Sequence, residues 1–462
     1  MTDAAPVTAA EFAARMDAFA PFEPAPTVAA AVSGGPDSLA LTLLLADWAR
    51  AQGGRVLAIT VDHGLRAEAS DEARWVGALL AAQGIAHRVV GWHGERPERV
   101  RQEHARAERY DRLRELCAEA GILHLALGHH REDRAETVLL RLKGQSRLDG
   151  LAGMAQQREM PELRLIRPLL DLPKERLRAT LAARGVGWVE DPTNRNRNHL
   201  RVQLRDVMPQ LAEDGVTVAR INALAGALGT ARRRVEAAQD ALLARAVALH
   251  PAGFATLDPE AFRLARPEVA EGALARVLLA VGGAIYPPRG GRLERLAERL
   301  RGGLPATRTL GGCQLIPRKS AILVVREWER VAPVTLQPGA RAMVDGRFEA
   351  RLAPDAPGPA LVRPLGRAGW AALTKREPAL KSHPLPGPVR AALSGVFDVR
   401  HDAPTGGGTG GGTGAAGLVA LPDLPHLRPG GYAWLAEWRF APRRGLSGAG
   451  FTVAQDEAHT MS

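Results

Sequence analysis

Short apolar runs alternate with helical patterns along the N-terminal part of the chain. The apolar run Val28–Val32 is typical of a strand that is buried on both faces of a sheet. Further strands are predicted at Arg55–Val61, Ile85–Trp92 and Leu123–Leu127. Helical patterns separate and follow these strands, at Leu39–Arg50, Ala69–Gln83, Arg96–Ala120, Asp133–Leu142 and Lys174–Arg184. This alternation has the spacing of βαβ units and predicts an α/β fold with a doubly wound parallel sheet.

The rest of the chain has a different pattern. Helical composition extends from residue 216 to residue 305, with Gly226 and Gly229 as a predicted break, and the pattern becomes β-like from Thr309. A chain of 462 residues is too long for one core. The predicted organisation is an N-terminal extension (1–26), a catalytic α/β domain (27–215), a helical domain (216–305), a smaller α+β region (306–440) with a glycine-rich loop (406–417), and a disordered tail (441–462).

Composition narrows the class of protein. Lys and Arg number 61 against 50 Asp and Glu, a net charge of +11, which favours a polyanionic partner. Two cysteines, Cys117 and Cys313, exclude a disulfide scaffold and a four-cysteine zinc site. The sequence shows neither a signal-peptide pattern nor an apolar run of about 18 residues. We therefore expect a cytoplasmic enzyme or binding protein without a membrane partner.

The first predicted strand leads into a glycine turn with the sequence SGGPDS, which comprises Ser33, Gly34, Gly35, Pro36, Asp37 and Ser38. A helix that starts after such a turn binds anions, because its free N–H groups and its dipole point at the bound group. A Walker-type loop would have a lysine here, but Asp37 takes that place. A carboxylate beside a triphosphate indicates a bridging Mg²⁺. The simpler alternatives are an ordinary glycine turn and a helix cap at Asp37.

Two other predicted strand ends carry polar groups. Asp62, His63 and Gly64 follow the second strand, and the segment GHHREDRAET, with His129, His130, Asp133 and Glu136, follows the fourth. Ligands bind at the carboxyl ends of strands in such sheets. The spacing of the two histidines and Asp133 matches no helical zinc motif, so zinc is disfavoured. In isolation these histidines would cap and pack the strand end, but beside a phosphate loop Asp133 is interpreted as a site residue.

The helix predicted from Arg96 is rich in charge. Most of its arginines are interpreted as a solvated face. Arg106 and Arg109, next to Tyr110, are the candidates for a position facing the cleft, where they would neutralise phosphate charge.

Five motifs in order carry a resemblance to a known family. They are SGGPDS, VDHGLR (Val61–Arg66), ARAERYDRL (Ala105–Leu113), the segment Gly128–Met154, and IRPLL (Ile166–Leu170). In this order they resemble the tRNA(Ile)-lysidine synthetases, which are PP-loop ATPases of the N-type ATP-pyrophosphatase superfamily. The resemblance covers roughly Val28–Leu211 and implies a PP-loop fold in that region.

The resemblance implies a ligase that forms a carbon–nitrogen bond. Members of this family use ATP to attach L-lysine to the wobble cytidine of the CAU-anticodon tRNA(Ile) precursor. The cytidine oxygen is first adenylated with release of pyrophosphate, and the lysine amine then displaces AMP. The implied ligands are therefore ATP, Mg²⁺, L-lysine and this tRNA, while the oligomeric state, including a homodimer, is left open.

The resemblance also implies residue roles. The residues of SGGPDS would hold the pyrophosphate and, through Asp37, Mg²⁺, and Asp62–Gly64 would lie near the adenosine. Asp133 would contact the incoming lysine or the reacting centre, and Arg106 or Arg109 would stabilise developing phosphate charge. The expected contacts to lysine or tRNA are His129, His130, Glu136, Arg197, Asn198 and Arg201. The helical domain would contact tRNA through residues such as Arg232–Arg234, for which a solvated face is the alternative.

The sequence departs from the family pattern in three places. Arg134 stands where the family usually has a polar neighbour of Asp133, the connection within Asp191–Arg201 is short, and the C-terminal half matches only around Leu361–Trp370. Two other functions compete with the ligase. A tRNA thiolase with the same loop is disfavoured, because Cys117 is the only cysteine in the domain. A nucleotide-binding module without catalysis would leave Asp37 and Asp133 dispensable.

Overall fold

The computed structural model describes ten segments of the chain, which are residues 5–62, 69–91, 102–143, 152–160, 163–190, 200–288, 291–399, 418–420, 435–442 and 445–446. His63, Gly64, Arg197, Asn198 and the glycine-rich loop 406–417 lie outside these segments, as does most of the predicted tail. The chain divides into two compact units, and the boundary between them falls between Arg233 and Arg234, inside a long helix. All predicted site residues belong to the first unit.

A six-stranded sheet forms the centre of the first unit. Its strands are β1 (Thr27–Ala31), β2 (Arg55–Asp62), β3 (Ala86–Gly91), β4 (His124–Leu127), β5 (Gln157–Glu159) and β6 (Arg164–Ile166). They are arranged in the order β3-β2-β1-β4-β6-β5, and all neighbours are parallel except β5 and β6. The order reverses at β1, as it does in doubly wound folds, so the predicted α/β fold is confirmed.

Helices pack against this sheet and against one another. They are α1 (Ala9–Asp17), α2 (Pro36–Ala51), α3 (Ala69–Ala82), α4 (Gln102–Glu119), α5 (Arg131–Lys143), α6 (Lys174–Ala183), α7 (Leu200–Glu213) and the start of α8 (Val218–Ala246). Alternate residues of β1 enter different cores: Val28 and Ala30 pack with α2, whereas Ala29 packs with Leu113 and Leu125. Burial on both faces explains the continuous apolar run in the sequence.

The N-terminal segment is part of the first core. Phe12 and Met16 of α1 are fully buried in the same cluster as the leucines of α2. The backbone N–H of Val7 donates to Thr180 Oγ1 at 2.9 Å, which ties the segment to α6. This part of the chain therefore contributes to the fold of the unit that carries the site.

The second unit contains antiparallel sheets. A five-stranded sheet has the order β7 (Val247–His250), β8 (Phe254–Leu257), β11 (Ile322–Arg326), β10 (Cys313–Pro317), β9 (Arg308–Leu310). A second sheet contains β12 (Val334–Leu336), β15 (Ala360–Pro364), β16 (Ser394–Asp398) and β17 (Leu418–Ala420), and a third contains β13 (Arg341–Val344), β14 (Phe348–Leu352) and β18 (Leu435–Phe440). The helices are α9 (Pro259–Leu264), α10 (Pro267–Gly282), α11 (Arg292–Arg301), α12 (Gly366–Arg376) and α13 (Gly387–Ala392), with 3₁₀ turns at Trp328–Arg330 and Pro378–Ser382.

The structure corrects one expectation and refines another. Helix α8 continues through Gly226 and Gly229, so the predicted break there is wrong. A glycine inside a helix costs only about 1 kcal/mol relative to alanine, and a long helix tolerates that cost. Strands β7 and β8 lie within the range predicted to be helical; they pair with each other, and β8 also pairs with β11. The domain limits themselves remain predictions.

A buried ion-pair triad lies in the second unit. Asp345 accepts hydrogen bonds from Arg326 Nε at 2.9 Å and from Arg347 Nε at 2.7 Å. Arg326 also donates to the carbonyl of Gly312, and Arg347 donates to that of Gly253. All three charged side chains are less than a tenth exposed. The triad thus joins three backbone turns through one carboxylate.

Across the segments that the structure describes, no helix combines the length and the apolar character that a bilayer span requires.

Candidate functional site

The SGGPDS loop links β1 to α2. Ser38 Oγ accepts a hydrogen bond from the Ser33 N–H at 3.1 Å and donates one to the Gly35 carbonyl at 3.1 Å, which closes the loop on itself. Gly34 has φ +82°, a conformation that favours glycine. No side chain caps the helix at Gly35. The first turn of α2 therefore presents its backbone donors and positive dipole end at the carboxyl edge of the sheet.

Two neighbouring segments fix the position of this loop. The N–H of Val189 donates to the carbonyl of Gly34 at 2.9 Å. At the end of β4, Gly128 approaches the backbone of the first turn of α2, and a Cβ at this position would lie 2.9 Å from the Asp37 carbonyl oxygen. Because only glycine fits there, the ends of β1 and β4 can meet.

A charged cluster forms where these two strand ends meet; we call it the His130 cluster (His130, Asp37, Glu132, Asp133). His130 Nε2 lies 3.5 Å from Asp37 Oδ2 and 3.5 Å from Asp133 Oδ2. His130 Nδ1 lies 2.9 Å from Glu132 Oε2, in a close ion pair that is not aligned as a hydrogen bond. Asp133 also accepts from the backbone N–H of His130 at 3.1 Å. The imidazole is therefore surrounded by three carboxylates and is only 3% exposed.

These carboxylates hold His130 in its charged form. Burial alone would lower the pKa of His130, but the contacts with Asp37, Glu132 and Asp133 outweigh it and raise the pKa to about 10. Burial likewise opposes ionisation of Glu132, and its pairing with His130 nevertheless lowers the pKa of that carboxyl. His130 is thus a fixed cation at neutral pH.

Asp37 has chemistry that suits a divalent cation. Its Oδ2 lies 3.5 Å from His130 Nε2 and 3.8 Å from Lys174 Nζ, whereas its Oδ1 is buried without a hydrogen-bond partner. An unpartnered carboxylate oxygen costs stability and is an oxygen ligand of the kind that Mg²⁺ prefers. Among the residues with described positions, no group of three or more His, Cys, Asp or Glu has a metal-binding arrangement. One carboxylate combined with phosphate oxygens is the usual protein site for Mg²⁺, and Asp37 fits it.

A cavity of about 210 Å³ lies beside the His130 cluster. Its polar lining includes His130, Glu132, Glu136, Lys174, Glu175 and Arg205, and its apolar lining comprises Ala135, Met208 and Val218. Glu136 is only 2% exposed and accepts hydrogen bonds from Arg205 Nε at 2.5 Å and Arg205 Nη2 at 3.4 Å. Burial of Arg205 opposes its charge, but Glu136 outweighs this and raises the pKa of the guanidinium. The cavity therefore combines an apolar wall with paired charges.

Arg134 and the IRPLL motif have structural roles near the end of β4. Arg134, which stands where the family pattern has another polar residue, is buried and donates from Nη1 to Asp171 Oδ1 at 2.9 Å. Arg167 of the IRPLL motif donates from Nε to His129 Nδ1 at 3.3 Å and from Nη1 to the Ala155 carbonyl at 2.7 Å. Arg134 and His129 thus position the segments that follow β4 and β6.

The structure brings some of the predicted residues together and leaves others apart or outside its description. Asp37, His130 and Asp133 lie in one cluster, and Glu136 lines the cavity next to it. Asp62 ends β2 and accepts from Ser70 Oγ at 3.3 Å, and Arg109 is exposed on α4. Arg106 and Arg201 lie on α4 and α7, but their side chains are not among those described. The roles of these residues remain predictions.

Sequence reasoning missed Glu132, Lys174 and Arg205. Glu132 lies in the GHHREDRAET segment, directly before the predicted site residue Asp133. Lys174 is one of only five lysines in a chain with 61 basic residues, which could have singled it out. Arg205 lies four residues, about one helical turn, after the predicted Arg201 on α7.

Comparison with known proteins gives a consistent result. A family profile described as a PP-loop domain matches residues 8–211. A tRNA(Ile)-lysidine synthase of Bradyrhizobium sp. (strain BTAi1) is 41% identical over 321 residues, which cover 67% of this chain and 87% of that protein. The protein of the same name from Methylobacterium nodulans is 43% identical, and the match covers 68% of this chain and 91% of that protein. The one from Methylobacterium sp. (strain 4-46) is 45% identical, and the match covers 62% of this chain and 85% of that protein. The chain therefore belongs to the tRNA(Ile)-lysidine synthase family, as these relatives show and as the SGGPDS loop and the sheet order support.

Proposed function

We propose that this protein joins L-lysine to the wobble cytidine of the CAU-anticodon tRNA(Ile) precursor, with ATP converted to AMP and pyrophosphate and lysidine as the product. The observation that carries the proposal is the meeting of the SGGPDS loop with the His130 cluster at the switch point of the sheet, in a chain whose relatives bear this name. The cellular site of this reaction would be the cytoplasm.

The first chemical step is adenylation. The cytidine carbonyl oxygen attacks the α-phosphorus of ATP, the bond to the β-phosphate oxygen breaks, and pyrophosphate leaves. Ser33, Gly34, Gly35, Pro36 and Ser38 form the loop that receives the phosphates at the start of α2. Mg²⁺ bound at Asp37 would neutralise the charge of the leaving pyrophosphate. Such fixed donors stabilise developing charge without reorganisation in the transition state.

The second step requires an uncharged lysine amine at the adenylated cytidine. The amine nitrogen attacks the ring carbon, the bond to the AMP oxygen breaks, and the amine loses a proton. Asp133, whose carboxylate lies in the His130 cluster, is the group proposed to orient the amine and accept that proton.

The cavity supports the proposal that lysine binds next to the cluster. A free lysine molecule has an aliphatic stem, a carboxylate and two amino groups, which are protonated in solution before one of them reacts. The apolar wall of Ala135, Met208 and Val218 suits the stem, and the carboxylates of Glu132 and Glu136 suit the cations. His129 and His130 would then act by positioning, His130 through the carboxylates and His129 through Arg167.

The other proposed contacts follow the family resemblance. Asp62, His63 and Gly64 would contact the adenosine, and Arg106 or Arg109 would stabilise phosphate charge. Arg197, Asn198 and Arg201 would contact the RNA, as would the helical region 216–305. Arg232–Arg234 on α8 and the net charge of +11 support an RNA backbone surface in that region.

The test is an incubation of the protein with ATP, labelled lysine and a CAU-anticodon tRNA(Ile) transcript. We expect label in the tRNA and AMP formation, each dependent on all three substrates, and loss of both in Asp37→Ala. In a parallel incubation with sulfide added as the sulfur donor, ATP-dependent sulfur transfer to the tRNA without lysine label would support a thiolase instead. ATP binding without any tRNA-dependent turnover would support a binding module and contradict the proposal.

A further inference from the structure

Lys174 contacts the phosphate loop although it is distant from it in sequence. Its Nζ lies 3.8 Å from Asp37 Oδ2, and its side chain is 27% exposed. The SGGPDS loop has no lysine of its own at the position that a Walker-type loop uses to contact phosphates. Helix α6 therefore places a lysine ammonium group next to the loop, although the loop sequence itself contains no lysine.

The backbone of Lys174 is fixed at the same sheet edge. Lys174 is the first residue of α6, and its N–H donates to Glu132 Oε2 at 3.1 Å. Glu132 belongs to the first turn of α5, which follows β4. The side chain of Lys174 thus starts from an anchored point and extends along the cavity wall to the start of α2.

Lys174 is the more exposed of the two cations, His130 and Lys174, that pair with Asp37. His130 is 3% exposed and is confined between Glu132 and Asp133 as well as Asp37. Lys174 has a flexible stem and a partly exposed ammonium group. A divalent cation on Asp37 would repel both groups, and only Lys174 can move away from it.

We propose that Lys174 is a substrate-contacting residue that binds the β- and γ-phosphates of ATP, and the pyrophosphate formed from them, after exchanging its contact with Asp37 for one with phosphate. The inference rests on the proposed function, since it takes ATP as the ligand of the loop. Each charge would keep an opposite partner after this exchange. Asp37 would bind the metal ion, and the ammonium group of Lys174 would donate hydrogen bonds to phosphate oxygens.

Binding measurements on the full-length protein test this role without turnover. MgATP, magnesium pyrophosphate and AMP are titrated by calorimetry into the wild type and into Lys174→Gln, Lys174→Arg and Lys143→Gln. Lys143 is an exposed lysine at the end of α5 and serves as the matched control. We expect Lys174→Gln to weaken MgATP and pyrophosphate binding roughly tenfold or more and to leave AMP binding unchanged. Lys174→Arg should retain most of the affinity, and Lys143→Gln should match the wild type.

The outcomes separate this inference from the proposed function. Unchanged MgATP affinity in Lys174→Gln, or equal weakening of AMP and MgATP binding, would overturn the phosphate contact while the ligase proposal stands. A wild-type protein that binds none of the three probes would overturn both. Thermal unfolding of each variant checks the fold, and Lys174→Arg keeps the test decisive should the glutamine variant unfold.

Discussion

Gly128 and Asp37 are in backbone contact: a Cβ on residue 128 would lie 2.9 Å from the carbonyl oxygen of Asp37 and 3.0 Å from the Cα of Ser38. The contact joins the end of β4 to the first turn of α2, so it sets the distance between the phosphate loop and the His130 cluster. Both partners are backbone atoms, and neither can yield by a rotamer change.

Gly128→Ala should therefore displace the start of α2. We expect MgATP affinity to fall by roughly tenfold or more, with a loss of stability of about 1–3 kcal/mol typical of overpacking. Calorimetric titration and denaturant unfolding measure the two effects. Gly187→Ala is the matched control, because a Cβ at that position has no neighbour within 4 Å. Equal MgATP affinities in the two variants would contradict the role of Gly128.

The Arg205–Glu136 pair should stabilise the wall of the cavity. Arg205→Ala leaves the buried Glu136 carboxylate without its Arg205 partner. We expect the free energy of unfolding to fall by about 1–3 kcal/mol. This loss is smaller than that for a fully buried ion pair, because the Arg205 side chain is 39% exposed. Glu136→Gln should reduce the additional cost of removing Arg205, since no buried charge is then left unpaired.

A double-mutant cycle by denaturant unfolding measures this coupling. Arg263→Ala is the control, because Arg263 pairs with Glu260 at an exposed site, and we expect no measurable loss there. Strict additivity of Arg205→Ala and Glu136→Gln would show that the two residues do not stabilise each other.

His130 should make the stability of the first unit depend on pH. Its pKa is about 10 in the folded protein and about 6.5 when unfolded, so its stabilising contribution is complete below pH ~6.5 and is lost as pH rises through the folded pKa. The stability difference between the wild type and His130→Gln should therefore shrink between pH 6 and pH 10. Unfolding curves across ~pH 6–10 measure it.

His250 provides a control with the opposite sign. Burial lowers the pKa of His250, so its effect on stability is confined to pH below ~6.5, where the folded state resists protonation. His250→Gln should leave the stability profile unchanged at alkaline pH. A His130→Gln profile parallel to the wild type over the alkaline range would contradict the buried charge at His130.

Asp345 should be essential to the stability of the second unit. Asp345→Asn removes the carboxylate that pairs with the buried guanidinium groups of Arg326 and Arg347, and we expect a loss of about 3–5 kcal/mol. Asparagine tolerates the left-handed backbone of residue 345, where φ is +50°, so the loss reports on charge. Asp355→Asn, at an exposed position, is the control. Denaturant unfolding with equal midpoints for the two variants would exclude a stabilising triad.

Local patterns predicted the sheet and the loop because each is a property of contiguous sequence. The apolar run before SGGPDS and the turn itself define β1, the anion-binding turn and the start of α2 within a dozen residues. The meeting of Asp37 with His130 and Asp133 followed from the rule that parallel strands present their carboxyl ends at one edge. These elements needed no knowledge of distant contacts.

The remaining site residues come from elements whose docking no local pattern encodes. Lys174 and Arg205 reach the cavity from α6 and α7, and nothing in the local sequence around either residue indicates that its helix docks there. Helix α8 shows the same limit: tertiary contacts and length outweighed the local weakness of Gly226 and Gly229.

The SGGPDS loop and the His130 cluster are proposed to carry out lysine ligation through an adenylated cytidine. The most direct measurement is nucleoside analysis of the CAU-anticodon tRNA(Ile) transcript after a single turnover, together with the AMP released. We expect lysidine at the wobble position in an amount equal to the AMP, and neither product with Asp37→Asn. Lysidine formed by Asp37→Asn at the wild-type rate, or AMP released without any modified nucleoside, would contradict this proposal.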